Sequence, residues 1–85
     1  MPELSRFYGI IIRIHFREHP PAHFHAVYSG HEALVDIESL DILGGSLPTS
    51  EQRLLLQWAS LHQAELREAW ARAQQMESPG KIDPP

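Results

Sequence analysis

The 85-residue sequence contains no cysteine, which excludes a disulfide framework, a thiolate nucleophile and a cysteine-ligated zinc site. Long hydrophobic runs are also lacking. The apolar stretches are far too short to cross a bilayer, and the first residues do not resemble a secretory signal peptide. Basic residues are outnumbered, with 7 Lys and Arg against 11 Asp and Glu and a formal net charge of −4. This balance argues against a general polyanion binder. We therefore expect a small cytoplasmic protein with no membrane partner.

A chain of this length allows one domain with a thin core, so dimerisation is a reasonable expectation. Residues 1–76 contain the periodic hydrophobic patterns and are predicted to form a single α+β domain. Residues 77–85, which include three prolines and a glycine, have little to bury and are predicted to be a disordered C-terminal tail.

The first half of the domain shows the period-2 alternation of half-buried strands. The predicted strands cover residues 10–17, 23–28 and 32–38, with a less regular fourth strand at 41–44. Pro20 and Pro21 end the first strand because proline cannot donate to a ladder. Ser29-Gly30 is typical of a two-residue hairpin turn. The pattern predicts an antiparallel meander of three or four strands.

The second half has the composition of a helix. Residues 49–76 contain no Gly or Pro, and Thr49 or Ser50 is the expected N-cap. The apolar stripe drifts near Leu61 and His62, where one helix could become a helix pair. This helical element is predicted to cover one face of the sheet in a two-layer arrangement. The side chains expected beneath it are Ile10, Ile12, Ile14, Phe16, Phe24, Ala26, Val35 and Ile37.

The opposite face of the sheet is predicted to be open and to collect histidine and arginine. Six histidines are unusually many for a chain of this size. Cross-strand partners share a face, so a register can be proposed from the turns. The predicted rows of neighbours are Arg17–His23–Asp36, His15–His25–Leu34 and Arg13–Val27–Glu32.

Such a patch suits divalent-metal binding. His23 and His25 with His15 or His19 could hold zinc or nickel, and Asp36 could be a fourth ligand or an acceptor that orients a histidine.

Two other functions use the same side chains. His23 and His25 could act on RNA as general acid and base, with Arg13 or Arg17 stabilising the charge of the phosphorane. Alternatively, the face could be a contact surface for a homodimer or another partner. Whether the protein is an enzyme is left open by the residues, and so is the plain alternative that strand histidines are solvated polar side chains.

The sequence also resembles a known family along residues 2–75. The resemblance rests on Ser5-Arg6-Phe7-Tyr8-Gly9-Ile10, His19-Pro20-Pro21-x-His23-Phe24-His25-Ala26, Gly45-x-Leu47-Pro48 and Trp58-Ala59-x-Leu61-His62-x-x-Glu65-Leu66. These motifs resemble the small bacterial proteins grouped as domain of unknown function 4160.

The resemblance implies a component of a two-protein module. Genes of this family often lie beside a gene for a second small protein, an arrangement commonly interpreted as a toxin–antitoxin pair with this family as the toxin. The motif marks His19, His23 and His25 but implies no established catalytic residue. Members usually have an aromatic residue at the position of His15 and a third proline at that of Ala22, so a site that requires His15 would not be general.

Overall fold

A computed structural model describes residues 2–85 as a five-stranded antiparallel sheet followed by two helices. The strands are β1 (Glu3–Phe7), β2 (Ile10–Arg13), β3 (His23–Tyr28), β4 (His31–Asp36) and β5 (Ile42–Gly45), and the helices are α1 (Thr49–Leu61) and α2 (Gln63–Gln74). The strands lie in sequence order across the sheet, so every connection is between neighbours. The α+β class and the antiparallel meander are confirmed, with five strands in place of the predicted three or four.

β1 is the strand that the sequence pattern does not reveal. Its pairing with β2 shifts register between Glu3 and Ser5, and this irregularity breaks the period-2 alternation. The chain connects β1 to β2 through Tyr8 and Gly9, whose φ angles of 50° and 80° are those of a two-residue hairpin turn.

The register of β3 with β4 is the predicted one. His23 lies opposite Asp36 and His25 opposite Leu34 across the hairpin that turns at Ser29-Gly30. The register of β2 with β3 differs from the prediction by two residues. Arg13, the last residue of β2, lies opposite His25, where His15 was predicted, and Ile11 lies opposite Val27, where Arg13 was predicted. Because side chains alternate between the two faces of a strand, a register shift of two residues leaves each side chain on its predicted face of the sheet.

The early end of β2 makes the connection to β3 longer than predicted. Residues 14–22 form a loop, and within it Arg17 has a φ of 53°, a left-handed conformation that continues no strand. The prediction that Arg17 lies opposite His23 is therefore wrong. Phe16, predicted to be in the core, lies in the same turn and is 38% exposed.

The helices cover the predicted apolar face of the sheet. Trp58 of α1 packs against Phe7 and Phe24, at ring-centroid distances of 5.0 and 6.3 Å. Apart from Phe16, the predicted sheet residues are buried. The helical segment does break at His62, where φ is −125°. The N-cap of α1 is Pro48 rather than Thr49 or Ser50, so the first turn begins without the predicted hydroxyl cap.

Residues 77–85 form no helix or strand, but they lie along the domain. Ile82 is 5% exposed, and its backbone N–H donates to the carbonyl of Leu4 over 2.8 Å. The indole Nε1–H of Trp58 donates to the carbonyl of Asp83, also over 2.8 Å. The low average hydrophobicity of the segment predicts disorder, because a single aliphatic residue contributes little to that average. The domain nevertheless buries this residue, Ile82.

Neither helix combines the length and the apolar character needed to span a membrane within the described chain.

Candidate functional site

The histidine face of the sheet is covered rather than open. His23 and His25 on β3 are each only 6% exposed. Trp70 of α2 packs against the His23 ring at 5.3 Å between centroids. The loop of residues 14–22 brings His15 and Glu18 onto the same face. Because this burial comes from the chain's own loop and helix, it needs no second copy.

Three imidazole rings surround one carboxylate oxygen of Glu18. Glu18 Oε1 lies 2.5 Å from His25 Nε2, 3.2 Å from His15 Nδ1 and 3.3 Å from His23 Nε2. We call these four residues the histidine–glutamate cluster. Glu18 was absent from the sequence-based site, and it is the residue on which the cluster is centred.

The outward-facing nitrogens of the two strand histidines are bonded to acceptors. His23 Nδ1 lies 2.8 Å from the carbonyl oxygen of Pro21, and His25 Nδ1 lies 2.9 Å from Glu32 Oε2. A carbonyl or carboxylate oxygen only accepts, so each Nδ1 is the donor. In the neutral ring the lone pair is then on Nε2, which points into the cluster.

His23 Nε2 is the unsatisfied atom of the cluster. It is buried and has no hydrogen-bond partner among residues 2–85. A buried nitrogen lone pair without a partner costs free energy. A proton on His25 can satisfy the contact with Glu18, because the doubly protonated ring donates to Glu32 and Glu18 together. That proton does not satisfy His23.

Burial and charge shift the pKa values of two cluster members. Burial lowers the pKa of His15, and the nearby charge of His25 lowers it further. For Glu18, burial raises the pKa, but the hydrogen bond from His25 and the charges of the three histidines outweigh it, so the pKa is lowered overall. The cluster therefore favours an ionised Glu18 and an uncharged His15.

Two of the predicted metal ligands lie outside the cluster. Asp36 Oδ1 accepts hydrogen bonds from the backbone N–H groups of Glu38 and Ser39, over 2.8 and 3.0 Å. These bonds lower the pKa of Asp36 and make it the acceptor of the turn after β4. His19 is exposed on the loop. Of the two alternatives for the third histidine, the structure brings His15 into the cluster and leaves His19 outside it, and Glu18 lies where the prediction had Asp36.

The two predicted catalytic arginines have different positions. Arg13 is on the histidine face, because it pairs directly with His25. Arg17 is exposed in the turn that precedes Glu18. Its left-handed backbone belongs to the reversal of the chain that returns Glu18 to β3. The signal that could have identified Glu18 is its spacing from His15, three residues earlier and just before the proline break.

The donor set fits a divalent ion. In a tetrahedral site with bonds of 2.0–2.2 Å, ligand atoms are separated by about 3.3–3.6 Å. The distances from Glu18 Oε1 to His15 and His23 are already close to this spacing, and the distance to His25 is shorter. His15, Glu18 and His25 form a group whose possible ligand atoms all lie within 4.8 Å of one another. His23 is not a member of this group, although its inward-facing Nε2 lies 3.3 Å from Glu18 Oε1.

Comparisons with known proteins give the family. The family model described as Domain of unknown function (DUF4160) matches residues 9–71. The chain belongs to the DUF4160 family. Comparisons with curated proteins and with solved structures each found no match. The matched range of this DUF4160 chain includes the whole histidine–glutamate cluster, together with Glu32 and Trp70.

Proposed function

We propose that this DUF4160 protein is a divalent-metal-binding module with the histidine–glutamate cluster as its site. The observation that carries the proposal is the buried Nε2 of His23, which points at Glu18 Oε1 without a hydrogen-bond partner among residues 2–85. His15, Glu18 and His25 present ligand atoms within 4.8 Å of one another, and a cation bound there that draws in His23 Nε2 would satisfy this unpartnered atom as well. Imidazole and carboxylate ligands suit zinc, and imidazole also suits nickel.

The residues behind the ligands support the same proposal. A metal-binding histidine usually donates its second ring N–H to a carboxylate or a carbonyl, which fixes the tautomer and the orientation of the ring. His25 has Glu32 in this role and His23 has the Pro21 carbonyl. His15 and Glu18 are each about one quarter exposed, so the cluster is reachable from solvent on their side.

The decisive experiment is elemental analysis and calorimetric titration of untagged protein with zinc and nickel. We expect stoichiometric metal in the natural chain and none in the His23→Ala/His25→Ala double variant. Glu18→Gln should weaken binding strongly, because an amide oxygen is a poorer ligand than a carboxylate. His19→Ala and Asp36→Asn are the matched controls and should bind as the natural chain does. Absence of metal binding by the natural chain, or equal loss in the controls, would contradict the proposal.

A second proposed function is the one that the family resemblance implies. In it the protein is the toxin of a two-protein module in the bacterial cytoplasm, binds a small partner encoded nearby and acts on RNA. The position of Arg13 opposite His25 favours this proposal, because it puts a fixed positive charge beside two histidines and a carboxylate. An acidic chain gives such an activity little long-range attraction for RNA.

Growth assays separate the two functions. Expression of the natural chain without its partner should arrest growth, and Arg13→Ala should restore it while metal binding is retained. Arg17→Ala, in the exposed turn, and Arg53→Ala, on α1, are the controls for loss of a surface arginine. Toxicity that survives Arg13→Ala, or no toxicity at all, counts against the RNA proposal. A homodimer remains a third proposal, and a solution mass of twice 9.7 kDa would support it.

A further inference from the structure

The C-terminal end of α2 is bonded to the loop that carries Glu18. Gln74, the last residue of α2, donates from its side-chain Nε2 to the backbone carbonyl of Glu18 over 3.2 Å. The side chain of Gln74 is half-buried at this contact. The bond therefore joins the loop to a helix that supplies none of the ligand atoms of the histidine–glutamate cluster.

This bond holds the loop near its middle, where other anchors are few. Backbone–backbone hydrogen bonds to other segments hold the two ends of residues 14–22, at Ile14 and at Ala22. Between these ends, the carbonyl of Glu18 accepts the amide N–H of Gln74. The carboxylate of the same residue is at the centre of the cluster. Fixing the backbone of Glu18 therefore restricts where its carboxylate can lie.

The second polar atom of the Gln74 amide has no partner. Its Oε1 is buried and accepts no hydrogen bond among residues 2–85. A buried acceptor without a donor costs free energy, and an apolar side chain of similar length would avoid that cost. The amide of Gln74 is thus better explained by its bond to Glu18 than by the stability of the domain.

Trp70 contacts the cluster from the same side of α2. It precedes Gln74 by about one helical turn, so the two side chains share a face of the helix. The ring of Trp70 packs against His23 at 5.3 Å between centroids. This face of α2 therefore contacts both parts of the cluster, the strand histidines through Trp70 and the loop carboxylate through Gln74.

Building on the metal-binding function proposed above, we propose that Gln74 is a positioning residue of the metal site. It holds the backbone of Glu18 so that the carboxylate is in place before an ion binds. A ligand that is already fixed loses less conformational entropy on binding, so the affinity rises. Since coupling between two sites is reciprocal, a bound ion in turn stabilises the contact between α2 and the loop.

The first measurement needs no metal. In the full-length chain with a chelator, backbone amide relaxation in NMR should show more fast motion at Glu18 in Gln74→Met than in the natural chain. Gln75→Met is the matched control, because Gln75 is the exposed neighbour on the same helix end, and it should leave Glu18 unchanged. Urea unfolding should show no loss of stability in Gln74→Met, because the unpartnered Oε1 is removed with the amide.

If the methionine variant does not fold, Gln74→Glu takes its place, because it keeps the shape of the side chain and loses the N–H donor. Unchanged motion of Glu18 in a folded variant without the donor overturns the proposal, whether or not the protein binds metal.

The second measurement is calorimetric titration with zinc. Gln74→Met should bind about tenfold more weakly, as is typical when a contact behind a ligand is lost, and Gln75→Met should bind normally. In a Glu18→Gln background the same Gln74→Met substitution should cause no further loss, because it acts through Glu18. Cobalt(II) bound in place of zinc should also show a changed visible spectrum in Gln74→Met, which a purely structural role would leave unchanged.

The outcomes separate this proposal from the one on which it rests. Equal zinc affinity in Gln74→Met and Gln75→Met, or an equal loss with and without the Glu18 carboxylate, overturns the role of Gln74 and leaves the metal site in place. A natural chain that binds no zinc and no cobalt removes the metal site itself.

Discussion

The ring of His15 lies flat against the ring of His25, with centroids 3.7 Å apart and planes 5° from parallel. Two imidazolium rings at this distance would repel each other strongly, so the pair favours at most one charge. Glu18 and Glu32 contact the two ring nitrogens of His25, whereas burial lowers the pKa of His15. The stacked ring of His15 stays neutral and keeps a free lone pair.

Replacement of His15 by phenylalanine should preserve the stack and remove one ligand. We expect His15→Phe to fold normally and to bind zinc about tenfold more weakly, equal to about 1.4 kcal/mol. Calorimetric titration of His15→Phe beside His23→Ala gives the comparison. A loss in His15→Phe as large as that in His23→Ala would show that His15 is an essential ligand.

Glu32 should influence metal affinity without touching the metal. It accepts the Nδ1–H of His25, and removal of such an outer carboxylate typically costs about 10- to 100-fold in affinity. Glu32→Gln should show this loss in the same titration, with little change in stability because Glu32 is exposed. Glu38→Gln, which removes the partner of Arg67 in a surface ion pair, is the control and should bind zinc normally.

Stability in the presence of a chelator should fall as the pH is lowered. The pKa of His15 is lowered below 6.5 in the folded state, so the unfolded chain takes up a proton first as the pH falls through 6.5. The lowered pKa of Glu18 has the same sign: its contribution is present above 4.5 and is lost as the pH falls through the folded value. Urea unfolding at several pH values measures both.

Two variants assign these pH windows. In His15→Phe the free energy of unfolding should decline less steeply just below pH 6.5. In Glu18→Gln it should decline less steeply below pH 4.5. Unchanged pH profiles in both variants would mean that the cluster does not hold these two protonation states in the folded protein.

Ile82 should contribute to the stability of the domain. Truncation of a buried isoleucine to alanine typically costs about 2–5 kcal/mol, and we expect Ile82→Ala to fall near the lower end because the segment can adjust. Met76→Ala, at a position that is 54% exposed, should change the free energy of unfolding little. Equal stability of Ile82→Ala and the natural chain in urea unfolding would mean that the segment is disordered in solution.

The part of the site on β3 and β4 is predictable from sequence because local rules fix it. A two-residue turn at Ser29-Gly30 determines the register, and alternation then puts His23 and His25 on one face. The position of Glu18 is not predictable in this way. It depends on a loop whose path includes a left-handed residue, Arg17, and no periodicity describes such a loop.

The sequence also does not predict that the loop of residues 14–22 and Trp70 cover the histidine face of the sheet. The strand pattern correctly separates an apolar face from a polar one, and polar residues usually face solvent. Here polar groups are buried because all but His23 Nε2 find a partner within the cluster or directly behind it, where Glu32 and the Pro21 carbonyl accept from two of the imidazoles. Such mutual satisfaction is a property of three-dimensional arrangement and leaves no period in the sequence.

The hydrogen bond from Ile82 to Leu4 also limits how these sheets can assemble. It occupies part of the β1 edge, so the two edges of the sheet are unequal, and β5 is the edge that can accept another strand. If two chains paired through β5, the edges left at the two ends of the joined sheet would both be β1 edges, which the Ile82 segment already contacts. Growth by strand addition would then end at a closed pair instead of continuing into a fibre.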